Sequence, residues 1–363
     1  MQYYDCMHLE RSSSLRQWLP LVCIVLITLA LYFPSLKNGF VNLDDPMLVY
    51  ENSAVQTLSL KTIGYVFTSY DPELYIPLTF VSYQIEYALF GANPTAFHLT
   101  SLLLHLINVV LVFAVLELLL NKRAFALLGA LLFAIHPING EAVLWISARK
   151  DLLSTVFFLS AWLAYLKLSI GRKRTIIIGV LFVLALLSKV SAVTLPAILI
   201  LTDWRKHRPL KESLQEHWPL LIIATMFIAI ALGGKTVILA ETTLFQKLLM
   251  AGISTVFTIG KILWPSGLSP LYPYHGIIAA SAPAFWGSWL LIAAFAAIVL
   301  FSMSRTREVA FAFAFCDHSR AHIHQLLQRR IALHGFGPLC VSADDRAPAF
   351  ADDRPESSLA TRA

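Results

Sequence analysis

The chain has 363 residues, of which 57% are hydrophobic and only 14% are charged. Soluble domains carry about a quarter charged residues, so this composition excludes an ordinary soluble domain, whose surface needs more charge to stay dispersed. The apolar residues form runs close to the roughly 20 residues that cross a bilayer as a helix. Because hydrocarbon offers no partner to backbone N–H and C=O groups, such runs are expected to be helical. The composition therefore predicts an all-α, polytopic membrane protein.

The net charge is +6, and its distribution is more informative than its size. Basic residues collect between apolar runs at 122–123, 172–174 and 205–208, which is typical of cytoplasmic loops. A nucleic-acid-binding protein needs a basic face on a soluble domain, and no such domain is visible, so no nucleic-acid partner is expected. The four cysteines show neither metal-ligand spacing nor a disulfide framework.

The N-terminal third predicts one span followed by a long outer loop. The apolar run 18–33 follows Arg11 and Arg16 and lacks a small-residue cleavage site. We therefore expect an uncleaved first span behind a cytoplasmic N-terminus, residues 1–17. Residues 37–96 carry most of the acidic side chains of this third and predict the first outer loop, in which 60–67 and 77–90 resemble interfacial or half-inserted helices.

Alternation of the remaining apolar runs between basic and non-basic loops predicts about eight spans within a membrane domain, residues 18–305. The later runs are 97–120, 124–135, 152–168, 175–187, 192–201, 219–232 and 285–303. Residues 136–151 are then a second outer loop, and 233–283 a third outer segment. The run 248–263 is predicted to be re-entrant or interfacial, because a full crossing would break the charge rule at one of its neighbours.

The C-terminal residues 310–363 differ in kind from the rest of the chain. They are rich in Ala, Arg, His and Asp, and no amphipathic period continues beyond 325–333. This composition predicts a mostly disordered tail. Its abrupt onset after an apolar run also suggests a truncated or frameshifted reading frame, which sequencing of the gene would test.

Two adjacent carboxylates, Asp44 and Asp45, stand directly after the first span in the segment Asn-Gly-Phe-Val-Asn-Leu-Asp-Asp-Pro. At a membrane surface one of them can act as a general base, and the other as a ligand for a hydroxyl or a cation. Asp-Asp-Pro is equally good chemistry for a solvated turn, and spacing alone leaves both interpretations open.

The second outer loop carries an unusual number of ionisable groups: His136 and Glu141, followed by Arg149, Lys150 and Asp151. Outer loops are normally poor in arginine and lysine. One interpretation is an anion site in which guanidinium and ammonium groups hold a phosphate. The alternative is a helix end whose basic side chains snorkel to the interface beside Asp151.

Lys189 follows Ser188 where two apolar runs meet. A lysine at this depth is costly unless it faces a cavity or a phosphate, or snorkels to the headgroups. The pair His98 and His105 lies on one face of a predicted helix and favours interhelical hydrogen bonds over metal ligation. No metal-ligand set is identified from the sequence.

Taken together, three of these segments resemble a known family. The segment 38–52, the Tyr-Ile-Pro-Leu-Thr segment at 75–79 and the His-Pro-x-x-x-Glu-Ala-Val loop followed by Arg-x-Asp look like the membrane half of multi-pass glycosyltransferases of the GT-C fold. Within that fold they are most similar to the transmembrane and tetratricopeptide-repeat O-mannosyltransferases and their bacterial relatives. The resemblance covers residues 15–305. It departs from the family at Val190, where an acidic residue is usual, and no 34-residue repeat follows.

The resemblance implies transfer of a mannose-like hexose from a polyprenyl-phosphate carrier to an acceptor, such as protein serine or threonine, on the periplasmic or lumenal face. Apart from the lipid-linked sugar it implies no certain cofactor and leaves a divalent metal open. It implies that Asp44 is the base that deprotonates the acceptor and that Asp45 helps to orient the acceptor or a cation. The remaining implied roles are phosphate binding by Arg149, Lys150 and Lys189 and shaping of the site by His136, Glu141 and Asp151.

Two other functional classes compete with this interpretation. A transporter or lipid flippase would use the same charged residues to line a pathway, but no inverted repeat or paired broken helices are visible. A non-catalytic membrane scaffold is the second alternative, favoured by the missing repeats. Transfer of a labelled sugar from a polyprenyl phosphate in membranes distinguishes the three.

The charge distribution predicts that 38–96 face the periplasm or lumen and that 172–174 and 205–208 face the cytoplasm. In a cysteine-free background, Lys61→Cys should be modified from outside by an impermeant maleimide. Lys173→Cys should react only after the membrane is permeabilised. Labelling of position 173 from outside would reject this topology.

Overall fold

The computed structural model describes residues 6–70, 74–234, 243–269 and 283–303, and within these ranges it is helical without any strand. The N-terminal helices are α1 (Cys6–Tyr32), α2 (Ser53–Gln56), α3 (Leu60–Thr68), α4 (Pro77–Phe90) and α5 (Pro94–Leu120). The middle of the chain forms α6 (Arg123–Ile135), α7 (Gly140–Leu144), α8 (Arg149–Lys167), α9 (Arg172–Ser188) and α10 (Leu195–Arg205). The last three are α11 (Leu210–Gly233), α12 (Leu244–Leu263) and α13 (Pro283–Met303).

The ends of α5 show how local sequence sets a helix boundary. The Asn93 side chain accepts a hydrogen bond from the Thr95 N–H, and Pro94 occupies the first turn, where its missing N–H costs nothing. At the other end Asn121 adopts a left-handed conformation with φ 51°, which asparagine tolerates better than most residues. The 27 residues between these caps are almost all apolar, so the helix is long enough to cross a bilayer.

By length and composition, three helical segments among the described residues qualify as membrane spans: Arg16–Lys37, Pro94–Leu120 and Leu210–Gly233. A bent pair, Arg123–Ile135 with Pro137–Leu144, qualifies as a fourth if its 47° break is counted within one span. The chain is therefore an integral membrane protein. The predicted number of about eight spans is not confirmed, because α8 and α9 begin with charged residues and α10 is only 11 residues long.

Side-chain exposure agrees with burial in lipid. In α1, Leu19, Leu26 and Leu31 expose half or more of their surface, and Leu128 and Leu132 of α6 do the same. Contiguous apolar surface of this kind is unfavourable in water. It is expected on helices whose outward faces contact hydrocarbon, with polar side chains facing inward.

Residues of the predicted first outer loop fold into a helical layer of their own. The predicted helices at 60–67 and 77–90 are present as α3 and α4, and α2 packs beside them. Their core consists of Leu48, Val49, Ala54, Val55, Val66, Ile76, Phe80 and Tyr83, closed by Phe97 of α5 and Ile146. Buried side chains fix the position of α4, because Gln84 Nε2 donates to the Ala54 carbonyl at 2.8 Å and Thr79 Oγ1 donates to the Ser188 carbonyl at 3.1 Å.

The main core lies between α5, α8, α9, α10 and α11. Its central side chain, Trp162, is completely buried and packs with Phe158 and Phe182. The indole Nε1 of Trp162 donates to Thr202 Oγ1 at 3.1 Å, so the one polar atom of this ring is satisfied within the core.

Three sequence predictions concern the later part of the chain. The run 248–263 belongs to one unbroken helix, α12, and its re-entrant or interfacial position stays a prediction. The run 285–303 is helical as α13. The predicted disordered tail at 310–363 lies outside the described residues, as do parts of the N-terminus and of the segment 233–283.

At the end of α8 away from Arg149, the buried carboxylate of Asp203 joins several helices. It accepts hydrogen bonds from Ser213 Oγ at 2.7 Å and from the Tyr165 hydroxyl, and it lies 3.3 Å from His217 Nε2 and 3.2 Å from Arg208 Nη1. Burial alone would raise the pKa of the Asp203 carboxyl, but these hydrogen bonds and the charge on Arg208 hold it well below its usual range.

We expect Asp203→Ala to lower the thermal unfolding midpoint in detergent at pH 7. Breaking a buried charge pair costs about 3–5 kcal/mol, and Arg208 keeps Glu216 as a partner at 2.5 Å, so the loss should lie near the lower limit. Because the folded pKa is depressed, the Asp203 contribution is fully present above the unfolded pKa of about 3.9 and is lost as the pH falls below it.

The difference between wild type and Asp203→Ala should therefore stay constant from pH 7 to about pH 4 and shrink as the pH falls further to about pH 3. Glu212→Ala is the control, because Glu212 contacts the same arginine at 3.7 Å but is 59% exposed, and an exposed pair contributes at most about 1 kcal/mol. Equal midpoints for all three proteins at pH 7 would contradict a stabilising role of Asp203.

Candidate functional site

Asp45 is fully buried, and its carboxylate is held by three donors. Its Oδ2 accepts the Val41 N–H at 2.7 Å, which closes the turn that follows α1. Its Oδ1 accepts the Ser147 N–H at 2.9 Å and the Ser147 hydroxyl. A buried carboxylate is stable only when such donors replace water. Asp45 therefore fastens the turn at 41–45 to the loop that contains Ser147, and its carboxylate is enclosed.

Asp44 stands next to this anchored residue and is only half-buried. Its backbone carbonyl accepts the Leu48 N–H at 2.9 Å, which starts the short π-helical segment Pro46–Tyr50. Because Asp45 fixes the backbone on one side and this segment fixes it on the other, the position of Asp44 is set by its neighbours. Of the two carboxylates, Asp44 is the more accessible.

Arg149 is completely buried and forms an ion pair with Glu86, with 2.5 Å between Nη1 and Oε2. The other oxygen of Glu86 accepts the Thr100 hydroxyl at 2.5 Å, and Arg149 Nη2 donates to the Phe97 carbonyl at 2.9 Å. The guanidinium carbon also lies 4.7 Å from the ring centre of Tyr83, within the range of a cation–π interaction. Arg149 thus joins α4, α5 and α8 and has no surface to offer an anion.

The hydroxyl of Tyr83 links this cluster to the segment that precedes α8. It donates to the Ile146 carbonyl at 2.7 Å. Burial raises the pKa of the Tyr83 hydroxyl, and the nearby charge of Arg149 acts in the opposite direction without reversing it. The hydroxyl therefore stays protonated and serves as a hydrogen-bond donor.

The two lysines are also buried. Lys189 forms an ion pair with Asp151, so the end of α9 is joined to the start of α8. Lys150 Nζ donates to the Ser147 carbonyl at 2.6 Å. Ser147 is also the residue that donates to the Asp45 carboxylate. Lys189 is only 4% exposed, so the interpretation of a lysine that snorkels to the headgroups is wrong. Asp151 pairs with Lys189, and Arg149 pairs with Glu86.

His136 and Glu141 occupy the bend between α6 and α7. Since a carbonyl only accepts, His136 Nε2 donates to the Ile262 carbonyl at 3.0 Å, and Nδ1 accepts the Ile138 N–H at 3.2 Å. His136 therefore links the bend to α12. Glu141 is half-buried and lines two neighbouring cavities.

The two cavities lie on either side of this bend. The first, the loop-side cavity, is lined by Asn38, Val41, Leu43, Pro137, Ile138, Gly140, Glu141, Leu144, Trp145, Leu268 and Ser269. The second, the inner cavity, lies among α5, α6, α7 and α8 and includes Asp151 and Ser191. Ile138 and Glu141 line both cavities, Val41 and Leu43 line the first, and Asp151 lines the second.

Sequence reasoning missed Glu86 and Ser147 as the partners of Arg149 and Asp45. Glu86 stands alone among apolar neighbours in α4, and a single charge in such a helix signals a buried partner. Ser147 gave no comparable signal. His98 and His105 were expected to form interhelical hydrogen bonds, and their Nε2 atoms contact the carbonyls of Gly39 and Ala134 at 3.4 and 3.1 Å. No group of three metal-ligating side chains is found within the described ranges.

Part of the chain is similar to known proteins. Residues 76–233 match the family described as dolichyl-phosphate-mannose-protein mannosyltransferase. Protein O-mannosyl-transferase TMTC3 of Mus musculus is 37% identical over 152 residues, which are 40% of this chain and 16% of that protein. Protein O-mannosyl-transferase TMTC4 of Homo sapiens is 42% identical over 108 residues, 26% of this chain and 14% of that protein.

The chain is related to the protein O-mannosyltransferases. The predicted resemblance is confirmed at this level. A third relative, protein O-mannosyl-transferase Tmtc1 of Drosophila melanogaster, is 37% identical over 120 residues, 32% of this chain and 14% of that protein. The matched part thus spans about a sixth of the length of these O-mannosyltransferases. No solved structure matches the chain. The family match includes Glu86, Arg149 and Lys189, whereas Asp44 and Asp45 precede it.

The Arg149–Glu86 pair generates a stability prediction for this O-mannosyltransferase relative. Arg149→Met leaves the Glu86 carboxylate buried without its cation, which should cost about 3–5 kcal/mol. The double variant Arg149→Met, Glu86→Gln should recover part of this loss, and thermal unfolding in detergent measures the coupling.

Glu117→Gln serves as the control, because the Arg123–Glu117 pair has a similar separation of 2.6 Å but both side chains are about a third exposed. Its loss should not exceed about 1 kcal/mol. Additive effects of Arg149→Met and Glu86→Gln, without coupling, would show that the pair contributes nothing as a pair.

Proposed function

We propose that this protein is a membrane glycosyltransferase that moves a mannose-like hexose from a polyprenyl-phosphate donor to an acceptor, with protein serine or threonine as the candidate acceptor class. The observation that carries the proposal is the buried anchor at Asp45, which fixes Asp44 in a turn whose residues Val41 and Leu43 line the loop-side cavity. The relationship to the O-mannosyltransferases supports the reaction class.

In this proposal Asp44 is the general base. A hydroxyl nucleophile becomes reactive when a carboxylate accepts its proton as attack on the sugar carbon proceeds. Such a base must be held in position and keep one side accessible. Asp44 is half-buried, while Asp45 has three donors and no exposed surface. We therefore assign the proton transfer to Asp44 and the positioning of its loop to Asp45.

The donor phosphate needs positive charge where its own charge develops as it leaves. Because Arg149 is buried against Glu86, we assign this role to Lys189 and Lys150 instead. Lys189 contacts Asp151, which lines the inner cavity, and Ser191 lines the same cavity two residues later. Lys150 lies in the first turn of α8 and donates to the Ser147 carbonyl. Arg149 then organises the site without touching the donor.

The remaining predicted residues shape the site. His136 fastens the bend between α6 and α7 to the carbonyl of Ile262, and Glu141 stands in the wall between the two cavities. An acceptor in one cavity and a donor in the other would meet at this wall. We propose that this end of the bundle faces the periplasm or the endoplasmic reticulum lumen, with a cytoplasmic N-terminus and about eight spans.

Asp44→Asn should abolish sugar transfer while leaving insertion and unfolding temperature unchanged. Asparagine keeps the size of the side chain but cannot accept the proton, and general-base assistance is worth about 10²–10⁴-fold in rate. Transfer of labelled mannose from dolichyl-phosphate-mannose to a serine- and threonine-containing peptide, by the full chain in liposomes, measures the loss.

Glu51→Gln is the matched control, because Glu51 is an exposed carboxylate seven residues further along the same segment, and it should transfer at the wild-type rate. Asp45→Asn should lower both the transfer rate and the unfolding temperature, since it acts through the loop. A wild-type chain that transfers no sugar would overturn the proposed activity, and an active Asp44→Asn variant would overturn the base assignment.

A further inference from the structure

The inner cavity contains buried polar atoms whose hydrogen bonds are incomplete. It lies between α5, the bend of α6 and α7, and α8, and it encloses about 150 Å³. Two of its lining residues, His105 and Asn108, stand one turn apart on the same face of α5 and are both completely buried. Neither residue has a role in the base or phosphate assignments above.

The second ring nitrogen of His105, Nδ1, is a hydrogen-bond acceptor. Its Nε2 lies 3.1 Å from the Ala134 carbonyl, and because a carbonyl only accepts, Nε2 carries the proton. A fully buried imidazole away from any carboxylate partner is most stable in the neutral form. Nδ1 is then an acceptor, and it has no hydrogen-bond partner among the described residues.

Asn108 offers a second acceptor close by. Its Nδ2 donates to the Leu152 carbonyl at 3.0 Å, which fixes the orientation of the amide. Its Oδ1 is buried and has no hydrogen-bond partner in the described part of the chain. One face of α5 therefore carries two acceptors that have no donor among the described residues, on two residues that line the inner cavity.

The chemistry of the missing donor can be specified. A phosphate ester at neutral pH presents acceptors, so it cannot satisfy His105 Nδ1 and Asn108 Oδ1. Hydroxyl groups can donate a hydrogen bond to each of these two atoms. A single ordered water requires about 10–15 Å³, and this cavity has about ten times that volume. It is large enough for a polyol.

The rest of the lining indicates how such a polyol would be attached. Val112, Phe158 and Leu159 make the deeper part of the cavity apolar, while Asn139, Glu141 and Asp151 make the part next to the bend polar. Lys189 lies against Asp151 at this polar part. A ligand with hydroxyl groups, an anionic group and a hydrocarbon chain matches this order of surfaces.

We propose that the inner cavity binds the sugar of the lipid-linked donor, with His105 Nδ1 and Asn108 Oδ1 as acceptors for two of its hydroxyl groups. This inference rests on the proposed glycosyltransferase function and names the side chains that recognise the donor sugar. His105 and Asn108 are then specificity-determining residues. They distinguish a glycosylated lipid phosphate from the bare lipid phosphate.

Binding of dolichyl-phosphate-mannose and of dolichyl phosphate to the detergent-solubilised full chain tests this proposal without requiring turnover. The wild type should prefer the mannosylated lipid. His105→Phe and Asn108→Leu should each reduce that preference about three- to tenfold, the value of one hydrogen bond. Their affinity for dolichyl phosphate should stay unchanged. Ser101→Ala is the matched control. Ser101 is an equally buried residue of α5 whose hydroxyl oxygen also has no hydrogen-bond partner among the described residues, and it does not line the cavity.

Donor analogues that lack single hydroxyl groups test the same contacts on the wild-type protein, so a variant that fails to fold does not decide the result. At least one deoxy analogue should lose the preference. Equal binding of both lipids by the wild type, or equal losses for both lipids in the variants, would overturn the sugar subsite.

The subsite and the proposed reaction fail separately. A protein that shows a His105-dependent preference but transfers no sugar retains the subsite and loses the catalytic proposal. A protein that transfers sugar while His105→Phe and Asn108→Leu keep the full preference retains the reaction and loses the subsite.

Discussion

Charges that are buried at one end of a membrane helix bundle must be paired there, and this requirement organises the whole site. Arg149 with Glu86 and Lys189 with Asp151 are both almost completely enclosed. An unpaired charge at such a position is far less stable than a paired one. The first pair joins α8 to the distant α4, and the second joins the start of α8 to the end of the following helix α9, so neutralising the charges also sets the relative positions of these helices.

The helical layer formed by α2, α3 and α4 depends on the same arrangement. Its apolar core would cover α5 in many registers, but the Glu86 carboxylate and the Tyr83 hydroxyl reach only one set of partners. Asp45 adds a third fixed point through Ser147. Hydrophobic burial thus supplies the general attraction, and directional polar contacts select one orientation of the layer on the bundle.

This rigidity has a direct consequence for chemistry. Side chains held by several hydrogen bonds cannot take part in a reaction without losing them, so Asp45 and Arg149 act as supports. Beside these supports stand the half-buried Asp44 and Glu141, and the acceptor atoms of His105 and Asn108, which have no hydrogen-bond partner among the described residues. A site built in this way places its working groups on a frame that stays fixed during the reaction.

The sequence by itself determined the membrane class, the helices and the family relationship. Run length and charge placement depend on local composition, so nearly every predicted apolar run coincides with a helix, and short motifs were enough to indicate O-mannosyltransferase relatives. Only the tertiary structure decided which charges pair. Arg149 and Asp151 are two residues apart, yet their partners are Glu86 and Lys189. Adjacent Asp44 and Asp45 differ in burial for the same reason, because packing against Ser147 from a distant loop reaches one carboxylate and leaves the other at the surface of the site.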